Sequence, residues 1–308
     1  MIYNKIKIGV IGLGYLGKFH YQKYKSNRYA DLVAVVDTDD KNINKLESNK
    51  ILKTNNYRDL VDIVDAVSIV TPTTTHYKIA KFFLDNKIHV LLEKPMTETV
   101  AQAKSLNTIA RKNKCIFQIG HLEQFNPAIR KLKLDSVHPQ FIEVHRLCKF
   151  NPRANDVDVV LDLMIHDIDI VLSLINEKIK KISVSGKKVI TKLTDIANVR
   201  IEFNNNIVAN LTASRISMKN ERKMRIFSNN SYYSIDFINN ELKKLVKKKN
   251  NTFKTYIHKF IKSDPLKDEI KNFINTCRGN ESSMTTGECG ENALKVAKKI
   301  TRALRKND

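Results

Sequence analysis

The first part of the chain alternates short apolar runs with amphipathic segments. The apolar runs are rich in β-branched residues, as in strands buried on both faces. The segments between them carry apolar residues at helical spacing. The predicted strands are residues 5–11, 32–37, 66–70, 88–92 and 115–119, and the predicted helices are residues 15–25, 76–86 and 97–113. This alternation predicts an α/β domain with a parallel sheet covered by helices.

Beyond Gly120 the pattern changes. Alternating segments separated by short polar turns predict a mostly antiparallel sheet. Its predicted strands are residues 141–149, 182–190, 196–203, 207–214, 223–227 and 232–237, and the predicted helices are residues 127–133, 159–175, 265–277 and 288–304. The chain therefore divides, on this pattern, into an α/β domain at 1–120 and an α+β domain at 121–308.

Length and composition allow two ordinary globular domains, since the chain has 308 residues, of which 42% are hydrophobic. No apolar run approaches the ~20 residues that span a bilayer, so no membrane insertion is expected. The N-terminus runs directly into the first predicted strand, which indicates no signal peptide and a cytoplasmic location. The four cysteines are scattered and predict neither a disulfide framework nor a metal site. They are Cys115, Cys148, Cys277 and Cys289.

The formal charge of +22 has two interpretations. It could attract a polyanion or an anionic substrate. It could also reflect composition, because Lys, Asn and Ile are abundant along the whole chain. No nucleic-acid-binding motif is present, which favours composition. The densest lysine run, within residues 243–249, is predicted to be a solvated hairpin tip or loop.

A glycine-rich segment, Gly12-Leu13-Gly14-Tyr15-Leu16-Gly17, follows the first strand and opens a helix. In that context the spacing predicts a dinucleotide-binding turn, and with it a doubly wound Rossmann sheet. Asp37 follows Gly17 by 20 residues at the end of the second strand. A carboxylate there binds ribose hydroxyls and repels a 2′-phosphate, which favours NAD over NADP. Thr38 and Asp39 leave that choice open.

Two further sites carry candidate chemistry. Glu93-Lys94-Pro95 follows a buried strand, at the sheet edge where α/β proteins bind ligands. The helix at 159–175 is apolar except for a stripe that includes Asp162 and His166 at i and i+4, continuing through Asp169 and Ser173. A carboxylate one turn before a histidine suits a general base and its orienting partner, although a paired core histidine is an alternative interpretation.

With these motifs the chain resembles the Gfo/Idh/MocA oxidoreductase family over essentially its full length. The matching residues are Gly12, Gly14 and Gly17; Thr71-Pro72 with His76; Glu93-Lys94-Pro95; Asp162 with His166; and Asp264-Pro265-Leu266 with Glu269 and Phe273. The resemblance implies that Lys94 lies beside the nicotinamide and the substrate hydroxyl, and that Asp162 and His166 line the substrate pocket. It also implies cofactor contacts by Tyr15, Leu16, Thr71, Pro72, His76 and Glu93. The second domain would then bind substrate and form a homodimer or homotetramer through its sheet.

Residues 120–128 and 161–169 resemble the nucleotide-sugar branch, in particular UDP-N-acetylglucosamine 3-dehydrogenases that supply an aminotransferase in lipid A (lipopolysaccharide) synthesis. Asn126, in the first stretch, is a candidate substrate contact. Family members often carry Arg where this chain has Gln124, so any contact that this Arg makes in them is lost or altered here.

The resulting hypothesis is oxidation of a sugar secondary alcohol by NAD⁺, at C3 of UDP-N-acetylglucosamine. His166 would take the hydroxyl proton, Asp162 would orient it, and Lys94 would stabilise alkoxide charge. Diphosphate candidates, chosen because Arg forks suit phosphate, are Arg153, Arg215 and Arg222. The alternatives are a dehydrogenase of another sugar, cyclitol or imine; a non-catalytic NAD-sensing regulator; and a nucleic-acid binder, which charge alone supports.

Overall fold

The computed structural model describes residues 5–46, 50–151, 157–261 and 263–306. The chain forms two compact units. The first comprises Met1–Phe125 and Asp264–Glu291, and the second comprises Asn126–Ser263 and Asn292–Asp308. None of the helices in the described ranges combines the length and the apolar character needed to cross a membrane.

The strands are β1 Ile6–Ile11, β2 Ala30–Val36, β3 Leu52–Thr54, β4 Ala66–Ile69, β5 His89–Leu92, β6 Phe117–Ile119, β7 Phe141–Leu147, β8 Ile179–Lys187, β9 Ile196–Phe203, β10 Val208–Ser214, β11 Glu221–Ser228, β12 Ser231–Asp236, β13 Glu241–Lys247 and β14 Phe253–Lys259. The α-helices are α1 Tyr15–Lys25, α2 Asp40–Asn44, α3 Thr73–Asp85, α4 Val100–Lys112, α5 Pro127–Leu134, α6 Ile165–Leu174, α7 Pro265–Cys277 and α8 Gly287–Lys306.

The first unit contains a six-stranded sheet in the order β3-β2-β1-β4-β5-β6. All of its strand pairs are parallel. The order reverses between β1 and β4, which makes their carboxyl ends the ligand-binding edge of a Rossmann sheet. Val10, Val35 and Val67 are fully buried, as expected of strands covered on both faces. The predicted doubly wound domain is therefore confirmed, although β3 and α2 were not predicted.

Helix α7 lies in the first unit, whereas the sequence pattern assigned it to the second domain. Its apolar residues Ile270, Phe273 and Ile274 pack in one cluster with Leu13 and Tyr24. Amphipathic spacing identified the helix with its observed bounds. The spacing could not identify the unit in which the helix packs, because apolar periodicity predicts a buried helix face but not the residues that cover it.

The second unit contains an eight-stranded sheet in the order β14-β13-β12-β11-β7-β10-β9-β8. Among the described strands of this second sheet, only β7 and β10 pair in parallel, so the predicted mostly antiparallel α+β unit is confirmed. The lysine-rich run contributes Lys243, Lys244 and Lys247 to β13, whereas its last two lysines, Lys248 and Lys249, lie in the hairpin tip between β13 and β14. Strand β13 was missed because its lysines hide the alternation, although Leu242 is fully buried.

Candidate active site

The loop between β1 and α1 depends on three glycines for different reasons. Gly12 has φ of +91°, and an added Cβ would lie 2.4 Å from the Val70 carbonyl oxygen. At Gly17 an added Cβ would lie 1.9 Å from the Gly12 carbonyl oxygen. At Gly14 it would meet nothing within 4 Å. The fold therefore requires Gly12 and Gly17, whereas Gly14 leaves open space at the start of α1. That space fits a pyrophosphate, which a helix N-terminus attracts.

Asp37 follows β2 at the same edge of the sheet and is tied to the glycine loop. Its Oδ2 accepts a hydrogen bond from the Leu13 backbone N–H at 2.6 Å, and its Oδ1 accepts one from Asp39 at 2.8 Å. These bonds hold the carboxylate where a Rossmann fold binds the adenosine ribose. In the first turn of α1 the side chains of Tyr15 and Leu16 are exposed, so both can contact a ligand.

Thr71 and Pro72 connect β4 to α3, and His76 bridges this connection to a second loop. Its Nε2 lies 2.8 Å from the Thr71 carbonyl oxygen and its Nδ1 lies 3.0 Å from the Pro95 carbonyl oxygen. The ring is buried, and burial lowers the pKa of His76 below its ordinary value. These contacts favour a role in holding the two loops together over direct contact with a cofactor.

Glu93, Lys94 and Pro95 form the turn that follows β5, with a cis Lys94–Pro95 bond. Lys94 is half-buried and Glu93 is buried. Oε2 of Glu93 accepts a hydrogen bond from the Lys94 backbone N–H at 3.2 Å, and its Oε1 lies 3.1 Å from Nε2 of His20. The other ring nitrogen of His20 lies 2.8 Å from the Ser68 hydroxyl. The turn is therefore anchored to α1 and β4 through its own glutamate.

Neighbouring groups favour the charged form of the Glu93 carboxyl group although it is buried. Burial alone would raise its pKa, but the hydrogen bond and charge of His20, with the charge of Lys94, hold the pKa of Glu93 below its usual value. Glu269 on α7 behaves in the opposite way. It is fully buried, its carboxyl oxygens have no hydrogen-bond partner among the described residues, and burial together with the charge of Glu93 raises its pKa well above the usual value. The protonated form of Glu269 is therefore favoured.

In the second unit, the predicted helix at 159–175 consists of a π-helical turn, Val160–Met164, followed by α6. Asp158 begins it by accepting hydrogen bonds from Val160 and Leu161, both at 3.0 Å. Asp162 lies in the π turn and His166 in the first turn of α6, and both are half-buried. Because both side chains are only half-buried, a ligand can reach them. Turns of this π-helical kind also recur at functional sites.

The other two residues of the predicted polar stripe differ in burial. Asp169 is buried, whereas Ser173, near the end of α6, is exposed. A second buried acid, Asp167, was not predicted. Its carboxylate binds the guanidinium of Arg146 on β7 at 2.8 and 2.7 Å. An aspartate in an apolar helix indicates a partner, but this partner lies on a distant strand that the sequence could not identify.

The remaining substrate candidates differ in what surrounds them. Arg215 is buried and bonds Asp195 at 2.9 Å, the Val157 carbonyl at 2.8 Å and Thr191 at 2.8 Å, which favours a structural role. Arg222 on β11 is exposed, and Arg153 lies outside the described residues. Asn126 is buried and caps α5 by accepting a hydrogen bond from Ala128 at 3.0 Å.

The first unit thus presents, at the carboxyl edge of one parallel sheet, an open glycine loop, an anchored carboxylate and a lysine held in a turn. This set fits a dinucleotide and a hydroxyl substrate. No group of three or more His, Cys, Asp or Glu residues within the described ranges could hold a metal ion.

Comparison with known proteins identifies the family. Residues 6–121 match the oxidoreductase family with an NAD-binding Rossmann fold, and residues 137–233 match the GFO/IDH/MocA C-terminal domain. The chain is 33% identical over 306 residues to UDP-N-acetylglucosamine 3-dehydrogenase of Acidithiobacillus ferrooxidans, which covers 97% of both sequences. The chain belongs to the Gfo/Idh/MocA oxidoreductase family. Its predicted Rossmann domain and oxidoreductase class are therefore confirmed.

Solved structures of family members agree with the fold. A structure of the Acidithiobacillus ferrooxidans enzyme matches with a TM-score of 0.92 at 34% identity and covers 99% of this chain and 98% of that one. Scyllo-inositol dehydrogenase from Lactobacillus casei, solved with NAD(H) and scyllo-inositol, matches with a TM-score of 0.83 at 21% identity and covers 99% and 98%. The second match is a likeness of fold alone.

His20 and Ser68 were missed by the sequence interpretation. His20 lies on the amphipathic helix α1, and Ser68 interrupts an otherwise apolar strand. A serine inside a buried strand needs a hydrogen-bond partner, which is the one signal that could have marked this position.

Proposed function

We propose that this protein oxidises the C3 hydroxyl of UDP-N-acetylglucosamine to the 3-keto sugar, with NAD⁺ as the oxidant. The observation that carries the proposal is the full-length similarity to a UDP-N-acetylglucosamine 3-dehydrogenase, in sequence and in structure. NAD⁺, when bound, accepts the hydride from the oxidised carbon. The space over Gly14 supports a pyrophosphate there, and the anchored carboxylate of Asp37 supports NAD over NADP.

Lys94 hydrogen-bonds the reacting hydroxyl oxygen in this proposal. Its ammonium group stabilises negative charge that develops on that oxygen as the proton leaves. The position of Lys94 directly after β5, with its backbone N–H held by Glu93, supports this role because a hydrogen-bond donor must be positioned before the reaction.

His166 takes the hydroxyl proton, and Asp162 orients the imidazole. Their partial exposure supports access to a ligand. Of the two arginine candidates in the described ranges, Arg222 is exposed and Arg215 is buried, which supports Arg222 as the diphosphate contact. Asn126 and Arg153 remain proposed contacts.

The experiment measures reduced nicotinamide formed from UDP-N-acetylglucosamine and NAD⁺ with a pathway aminotransferase and glutamate present. Trapping the ketone by transamination matters because alcohol oxidation by NAD⁺ is unfavourable. We expect turnover in the wild type and in the control Lys112→Ala, an exposed lysine at the end of α4, but loss in Lys94→Ala and His166→Asn. Full turnover in both active-site variants would overturn the assignment of roles.

The substrate is tested in the same assay. No turnover of UDP-N-acetylglucosamine, with turnover of another sugar or a cyclitol, would overturn the substrate and keep the dehydrogenase class. Binding of NADH without turnover of any such alcohol would instead favour an NAD-sensing regulator.

We also propose a homo-oligomer formed through the outer face of the second sheet. The rings of Phe141, Phe227 and Tyr232 cluster there with centroids 5.8 and 5.0 Å apart, and Phe227 is exposed in the single chain. Light scattering on the purified protein measures the mass, and a monomer at working concentration would contradict this proposal.

A further inference from the structure

A line of hydrogen bonds runs beneath the turn that carries Lys94. The Ser68 hydroxyl on β4 lies 2.8 Å from Nδ1 of His20 on α1, and Nε2 of His20 lies 3.1 Å from Oε1 of Glu93. The second carboxylate oxygen of Glu93 accepts the backbone N–H of Lys94. One arrangement satisfies every group: the serine O–H donates to Nδ1, and Nε2–H donates to Glu93. The line therefore joins two core elements to the turn.

The carboxylate of Glu93 has little freedom to move. A Cβ added at Gly120 would lie 2.9 Å from Oε2 and 3.0 Å from both Oε1 and Cδ, so the Gly120 backbone closes against it. Ser68 and His20 are essentially inaccessible, and Glu93 is only 7% exposed. Because water cannot replace a lost partner there, each hydrogen bond in the line depends on the others.

We propose that His20 is a positioning residue for Lys94: by holding the Glu93 carboxylate in place, it fixes the backbone from which the Lys94 side chain projects. The inference rests on the role proposed for Lys94. His20 touches neither substrate nor cofactor in this assignment and acts through Glu93.

Loss of His20 has a consequence for the dependence of activity on pH. The charged or titratable groups around Glu93 are His20 and Tyr24 on α1, His76 on α3, Glu269 on α7 and Lys94 in the turn. Without His20, only Lys94 opposes the effect of burial, so the pKa of Glu93 rises. Protonation of Glu93 then occurs at a higher pH, and activity is lost earlier on the acidic side.

The test compares His20→Leu with His20→Gln. Glutamine can place an amide N–H near the position of Nε2 and donate to Glu93, whereas leucine cannot. We expect His20→Leu to lower kcat about tenfold or more and to shift the acid limb of the kcat profile to higher pH, because hydrogen bonds to charged groups contribute most. His20→Gln should restore both to within about threefold of the wild type.

His89→Leu is the matched control, because His89 lies at the opposite end of β5 and accepts a hydrogen bond from the Ile116 backbone N–H. It should leave the acid limb unchanged. A readout without turnover is urea unfolding of the unliganded protein at several pH values. His20→Leu should be less stable than the wild type and His20→Gln at neutral pH, and the difference should shrink as the pH falls, because the lowered pKa of Glu93 contributes stability only above the unfolded pKa.

A double-mutant cycle decides whether His20 acts through Lys94. In the Lys94→Ala background, His20→Leu should lower the residual kcat by less than about twofold, because coupled residues are not additive. The full cost in that background, or an acid limb unchanged in His20→Leu, would overturn the inference alone. Full turnover in Lys94→Ala itself would overturn the role of Lys94 and the inference with it. If His20→Leu does not fold, Ser68→Ala carries the test: an upward shift of the acid limb supports the proposal and an unchanged limb overturns it.

Discussion

Replacing Gly14 by alanine separates cofactor binding from folding, and Gly17→Ala provides the contrast. At Gly14 the backbone has φ −61° and ψ −161°, which alanine can adopt, and the new Cβ meets nothing within 4 Å. At Gly17 the new Cβ would lie 1.9 Å from the Gly12 carbonyl oxygen and 2.8 Å from its carbon. Those atoms belong to the backbone, so α1 or the loop must move.

The expected magnitudes follow from these contacts. In Gly14→Ala a less flexible unfolded chain stabilises the protein by about 0.4–1 kcal/mol, and a poorer N-cap offsets this, so stability should change by less than about 1 kcal/mol. NADH affinity should fall at least about tenfold, or about 1.4 kcal/mol, because the Cβ occupies the space over the loop. In Gly17→Ala the overlap should cost about 1–3 kcal/mol of stability.

The assays are NADH fluorescence titration and urea unfolding, both on unliganded protein. Wild-type NADH affinity in a stably folded Gly14→Ala variant would refute the placement of the pyrophosphate over Gly14. A Gly17→Ala variant as stable as the wild type would refute the need for close approach between α1 and the loop.

Three other changes test the rest of the molecule. Asp37→Ser should lower the preference for NADH over NADPH about tenfold or more, measured as a ratio of dissociation constants, because a charged hydrogen-bond acceptor is lost. Arg146→Met should destabilise the protein by about 3–5 kcal/mol, since it removes the guanidinium that pairs with the buried Asp167 carboxylate, and adding Asp167→Leu should recover most of the loss in urea unfolding. Burial alone would raise the pKa of Asp195, but hydrogen bonds from residues 189–191 hold it well below the usual value. Its contribution to stability is present above the unfolded pKa of about 3.9 and is lost at lower pH, so urea midpoints of Asp195→Asn and wild type should differ at neutral pH and converge below about pH 4.

Local sequence patterns were sufficient to predict most of the helices and strands. Helix α1 and helix α7 have the bounds predicted from apolar periodicity, and β9 has the bounds predicted from alternation. Elements whose signal was weak or masked were missed. Strand β3 has only three residues, and β13 is interrupted by lysines.

The candidate site was predictable where chemistry and chain position coincide. Gly14, Asp37 and Lys94 each lie within three residues of the end of a strand, so their edge of the sheet could be inferred before any coordinates. The supporting groups could not. His20 and Ser68 are 48 residues apart, and Arg146 and Asp167 are 21 residues apart. Neither spacing has a local signature.

The sequence by itself determined the periodic elements, the glycine loop and the catalytic candidates, because these depend on neighbours within one turn or one strand. Only the tertiary structure decided that α7 returns to the first unit, that Arg215 is engaged by Asp195, and that His20 supports Glu93. The physical reason is common to all three. A charged residue in an apolar segment, or an apolar helix face, indicates that a partner must exist. The identity of that partner depends on long-range packing, which has no local signature in the sequence.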